Sequence, residues 1–157
     1  MATFGLDRVS PALVASRPPV DPWPEPAPPT APYFAEAEAE PEPLASLADE
    51  PLSPRFCAWR GASGRRYIAS VYEARACPAY CDAALIAVAT TPDGRRRIVA
   101  LADTGAFPEP VVARLAQTLT PIFGRLEFHL HLLAATTAER RAALDDLAVA
   151  APHAARS

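Results

Sequence analysis

The sequence predicts an α+β fold: a small mixed domain over residues 55–151, in the order β-β-β-β-α-β-α, behind a disordered acidic tail over residues 1–54. Three observations lead there. Proline is unevenly divided, with 13 of the 19 in residues 1–54. Charge divides the same way: two arginines face nine acids up to residue 54, thirteen face nine after it, and the sum is −3. From Arg55 onward, short apolar runs closed by glycine or proline turns alternate with two stretches of helical spacing.

Met1 to Val14 is weakly apolar and carries no strong signal. Arg17 to Pro54 reads PPVDPWPEPAPPTAPYF and then AEAEAEPEP, dominated by Pro, Ala and Glu. Such a segment buries too little apolar surface to offset its ordering entropy, so disorder with polyproline character is expected. Trp23, Tyr33 and Phe34 stand out within it as candidates for docking a protein partner.

Phe56–Arg60 and Tyr67–Tyr72 read as two strands joined through the glycine-bearing turn Gly61-Ala62-Ser63-Gly64. Ala76 to Asp82 is a connecting loop. Ala83–Ala89 is an unbroken apolar run, the pattern of a strand buried on both faces. Thr91-Pro92-Asp93-Gly94 reverses the chain, because proline presets φ and glycine supplies a positive φ. Arg95, Arg96 and Arg97 then lead into Ile98–Ala102, a strand antiparallel to the one before.

Asp103-Thr104-Gly105 breaks that strand, and Phe107-Pro108-Glu109-Pro110 opens a helix, with proline in the first turn and an acid at the positive end of the dipole. Val111, Leu115, Leu119 and Ile122 make its apolar stripe, and Pro121 and Gly124 are expected to end it. Arg125–Ala134 alternates as a strand, with Leu126, Phe128, Leu130 and Leu132 on one face and Glu127, His129 and His131 on the other. Thr136 and Glu139 form a capping box for the last helix, with Leu144 and Leu147 toward the core, Arg140 and Arg141 on the early exposed side, and fraying over residues 152–157.

Chemistry-bearing groups fall into three sets. Arg65, Arg66, Arg95, Arg96 and Arg97 lie at or beside turns and are the candidate rim for nucleic acid or an acidic partner. Cys77, Cys81, His129 and His131 have the ligand types for zinc, at a spacing unlike a knuckle. Glu127 with His129 is a candidate acid/base pair. No P-loop, HExxH, serine elbow or dinucleotide fingerprint is present. The odd cysteine count fits a reducing compartment, and no leader-like or membrane-spanning run is visible, so the expectation is a cytoplasmic protein away from membranes.

The order of hairpin, Thr104-Gly105 turn, helix with Arg114-Leu115, strand, and a helix with paired acids resembles the GIY-YIG endonuclease superfamily over about residues 80–150. Leu85-Ile86-Ala87 and Leu101-Ala102-Asp103 stand where that family carries its two tripeptides, without their tyrosines and glycines. The family's metal-binding glutamate would fall on Leu144 or Asp145. The resemblance implies a metal-dependent phosphodiesterase with Arg114, Asp145, and Glu127 or His129 as candidate catalytic residues. The departures imply a copy that has lost catalysis.

The functional expectation is a non-catalytic interaction domain with a basic arginine rim and no cofactor, the acidic tail competing for that rim in cis. The alternatives are the phosphodiesterase, with a divalent metal, and a structural or zinc-binding adaptor.

Overall fold

A computed structural model describes residues 40–150. Its elements are β1 (Glu42–Pro43), β2 (Phe56–Arg60), β3 (Arg66–Glu73), β4 (Ala84–Thr90), β5 (Arg96–Asp103), α1 (Pro108–Phe123), β6 (Leu126–His131) and α2 (Thr137–Ala150). The six strands form one antiparallel sheet in the order β1-β2-β3-β6-β4-β5. The α+β expectation holds. The folded part starts earlier than Arg55, because Glu42 and Pro43 pair with Ala58 and Cys57 as an edge strand. Trp23, Tyr33 and Phe34 lie outside the described residues.

The connection through α1 carries the chain from the edge strand β5 back to the middle of the sheet, where β6 enters between β3 and β4. That insertion explains the composition of β6. Both neighbours bond to it, and Phe128, His129 and Leu130 are all buried.

The helices cover opposite faces. Ala143, Leu144 and Leu147 of α2 pack with Cys57, Trp59, Tyr67, Ile86, Val88, Ile98 and Leu101. Leu115 and Leu119 of α1 pack with Leu85, Ala87, Val99, Leu126, Phe128 and Leu130. With a helix on each side, β4 has no solvent face, which is why Ala84–Ala89 is apolar throughout. In α1 the stripe continues from Leu119 to Phe123 rather than to Ile122, which is exposed. Pro121 lies inside the helix, and the helix stops at Gly124, whose φ of 70° suits glycine.

The sheet is rolled. Five strand spacings would hold the outer strands about 24 Å apart in a flat sheet. Glu40, two residues and at most about 7 Å from Glu42, nonetheless brings its carboxylate to 3.9 Å from Arg95, beside the opposite edge strand. A bulge in the β4–β5 ladder contributes: Ala87 faces Ala100 but Val88 faces Ile98, leaving Val99 as the extra residue. Bulges of this kind add twist and bend the strand.

Candidate functional site

The alternation of β6 puts Glu127, His129 and His131 on one face, as expected, and the structure turns that face toward α2, where it is not open. His129 is fully buried and His131 nearly so. The Trp59 indole N–H donates to His129 Nδ1 at 3.0 Å. That bond makes Nδ1 the acceptor, so the ring proton sits on Nε2, which donates to Glu127 Oε2 at 3.2 Å. Glu127 also accepts from Arg96, whose Nε lies 2.9 Å from the same oxygen. The Cys57 sulfur stands 3.3 Å from Nδ1 and completes a chain Cys57–His129–Glu127–Arg96.

This chain has the residue types of a thiol–imidazole–carboxylate triad, with the protonation states of a structural network. Burial pushes the Cys57 thiol up to about 12, so it stays protonated. Burial also holds His129 below its ordinary value, against the pull of Glu127. The His129 hydrogen bond, with Arg96 beside it, holds Glu127 down at about 2 despite its burial. His129 is thus a neutral bridge that ties β2 to β6, and its polar stripe is interior rather than solvated. His131 makes a second such tie, its Nδ1–H donating to the Ile68 carbonyl at 2.7 Å.

The four zinc candidates do not come together. Cys77 packs against the α1-side core and Cys81 is exposed, while His129 and His131 face α2. No group of three or more His, Cys, Asp or Glu among the described residues is arranged to hold a metal ion. The residues suggested by the endonuclease resemblance are likewise dispersed. Arg114 is exposed on α1, Asp145 is exposed on α2 across the sheet, and Glu127 and His129 lie within the network above.

Arg140 corrects a second expectation. It is buried, not exposed: its Nε lies 3.0 Å from both carboxylate oxygens of Asp103, and another guanidinium nitrogen lies 2.9 Å from Asp82. Asp82 has a φ of 53°, and it brings its carboxylate to the start of α2. The capping box is present beside it, Thr136 accepting from the Glu139 amide at 3.2 Å and Glu139 from the Thr136 amide at 3.0 Å.

The arginines at the turns form the accessible charged feature. Arg65 and Arg66 are exposed at the start of β3, Arg65 over the Tyr67 ring at 5.7 Å. Arg95, Arg96 and Arg97 line a cavity of about 410 Å³ with Thr91 and Glu40. Within it the three differ. Arg95 is exposed and flanked by Asp93 and Glu40. Arg96 is held by Glu127. Arg97 turns to the other face, its guanidinium 5.3 Å from the Phe123 ring and its Nε without a hydrogen-bond partner among the described residues.

Glu42 joins the second group of arginines, meeting Arg60 at 2.8 Å and Arg66 at 3.0 Å. Arg60 thereby enters the rim. Its position at the end of an apolar strand gave no sign of this, since only the pairing of β1 with β2 brings Glu42 beside it. No helix among the described residues is long and apolar enough to cross a membrane. Comparison with family models, with characterised proteins and with solved structures finds no match for this chain.

Proposed function

We propose that this domain is a non-catalytic interaction module whose rolled sheet presents an arginine rim to a polyanion, with single-stranded nucleic acid as the first candidate. One observation carries the reading. Glu40 and Glu42, two residues apart, engage Arg95 on one side and Arg60 and Arg66 on the other, so one short extended anionic segment reaches both arginine turns. Guanidinium groups suit such a role because they offer planar donor forks to phosphate or carboxylate oxygens. The exposure of Arg60, Arg65, Arg66 and Arg95 leaves their charges open to a ligand. The internal residues of triad type serve packing instead: Cys57 and His129 are closed off under α2.

Binding of this kind is salt-sensitive and weakly dependent on sequence. The test is fluorescence anisotropy with a labelled oligothymidylate of about 20 nucleotides, long enough to span a typical single-strand site. Association should fall steeply between about 20 and about 200 mM salt. Replacing Arg60, Arg66 and Arg95 by serine should weaken it about tenfold or more at low salt and lower the salt slope by about 2. A salt-independent signal, or one unaltered in the triple variant, would overturn the proposal.

A further inference from the structure

Resting on the reading just given, we infer that the α1 side of strands β2 and β3 is a base-contacting surface for single-stranded nucleic acid, on which the Tyr80 ring, backed by Tyr72, stacks a base between arginines that hold the phosphates. The register of the β2–β3 hairpin places these groups. Arg60 faces Arg66, Ala58 faces Ile68 and Phe56 faces Ser70. Directly opposed residues share one face of an antiparallel pair, and the alternation of β3 carries that face on to Tyr72. The other face, with Trp59, Tyr67 and Ala69, is closed by α2.

The two helices do not cover the sheet equally. α1 lies over β4, β5 and β6, and of the apolar side chains on β2 and β3 only Tyr72 packs against the core beneath it. Ile68 is left 41% exposed, whereas its neighbours Tyr67 and Ala69 on the α2 side are 4% and 1% exposed. The loop before β4 brings Tyr80 against Tyr72, with ring centroids 6.4 Å apart, and Tyr80 itself is 42% exposed.

Charge borders this strip at both ends. Arg60 and Arg66 stand on the same face, held in place by Glu42 with their side chains about half exposed. At the other end Arg55 is exposed, and its charge acts on Tyr72, against the burial that raises that phenol above its ordinary value. Arg66 and Tyr72 are six residues apart on β3, a span of roughly 20 Å. Rings bordered by guanidinium groups suit a strand that carries both phosphates and flat bases: the forks take phosphate oxygens and the rings take base faces. An apolar protein segment would cover Arg60 and Arg66 without neutralising them. Stacking also releases no counterions, so its contribution separates from that of the arginines by its indifference to salt.

The experiment uses the full-length chain, the same labelled oligothymidylate, and an abasic oligomer with an equal number of phosphates. Tyr80→Leu keeps the bulk and loses the ring, Tyr80→Phe keeps the ring and loses the hydroxyl, and thermal melts check the folding of each. The parent chain should bind thymidylate at least about fivefold more tightly than the abasic oligomer. Tyr80→Leu should lose about fivefold for thymidylate, with abasic affinity and salt slope unchanged, and Tyr80→Phe should bind as the parent does. Equal affinity of the parent for both oligomers, or full thymidylate affinity in Tyr80→Leu, would overturn the stacking surface and leave the arginine rim standing. So would a Tyr80→Phe as weak as Tyr80→Leu, which assigns the effect to the hydroxyl, or a Tyr80→Leu that weakens both oligomers alike, which makes the ring structural. Failure of the parent to bind either oligomer would overturn the rim, and the stacking surface with it.

Discussion

His129 shows how much one buried side chain can determine. Neutral, it accepts from Trp59 and donates to Glu127; protonated, it would lose the Trp59 bond and bring a charge into the core. Its folded pKa is lowered from the ordinary 6.5, so on acidification the unfolded chain takes up that proton first. The stability contribution is complete above pH 6.5 and declines below it. Glu127 acts in the same direction further down, its contribution complete above 4.5 and lost as pH falls toward about 2. Chemical denaturation followed across pH should therefore show a plateau above neutrality and a loss beginning near pH 6.5. His129→Gln should lower the plateau by about 1–3 kcal/mol, through an unmatched buried group, and flatten the segment between pH 5 and 6.5. Thiol titration gives an independent check. Cys81 is exposed and should react first; Cys77, its thiol pushed up to about 11 by burial, should follow slowly; Cys57 should react only on unfolding.

Between elements, α2 is fastened at both ends, and the two fastenings differ in kind. At its start, buried Arg140 bridges Asp82 and Asp103 at the ends of β4 and β5. Arg140→Met should cost about 3–5 kcal/mol by leaving the partly buried Asp103 carboxylate unpaired, measurable by denaturant unfolding. Near its other end, Asp146 locks the β2–β3 turn: it accepts from the Ser63 amide at 2.8 Å, the Ser63 hydroxyl at 2.6 Å and the Tyr67 hydroxyl at 2.8 Å. Burial opposes its charge, but these donors win and its carboxyl lies below the ordinary range. Gly61 is required by this lock, since a Cβ there would collide with the Asp146 carboxylate and meet the Tyr67 ring. Gly61→Ala should destabilise by about 1–3 kcal/mol. Amide exchange should then quicken at Ser63 and Ala62, whose N–H groups bond to Asp146, ahead of the rest of the sheet.

Over the whole molecule, the division of charge between the N-terminal stretch and the domain becomes a spatial arrangement. The acids at the end of the N-terminal stretch and the arginines at the turns meet across the rolled sheet, at Glu40 with Arg95 and Glu42 with Arg60 and Arg66. These contacts hold Glu40 to Glu42 at the rim, and added salt should loosen them with little loss of stability, because exposed pairs contribute weakly. Limited proteolysis between residues 40 and 44 should accelerate at about 0.5 M salt, where screening reaches only a few ångströms, while thermal midpoints stay nearly constant.

What local pattern can encode was legible from residue order. The apolar run of β4, the turn at Thr91 to Gly94, the capping box of α2 and the alternation of β6 all rest on neighbours within a few positions, and each is present in the structure. Which face those alternating residues meet is not local. Nothing near His129 or Arg140 in sequence announces that Trp59, Cys57, Asp82 and Asp103 converge on them, because those partners are 37 to 72 residues away. The insertion of β6 between β3 and β4, and the rolling of the sheet that carries Glu40 to Arg95, arise only when the entire chain packs. Sequence alone determined the elements from β2 to α2 and the alternation of side chains within them. Tertiary packing decided which polar faces were buried and which arginines shared an edge, since burial is a property of what arrives from elsewhere in the chain.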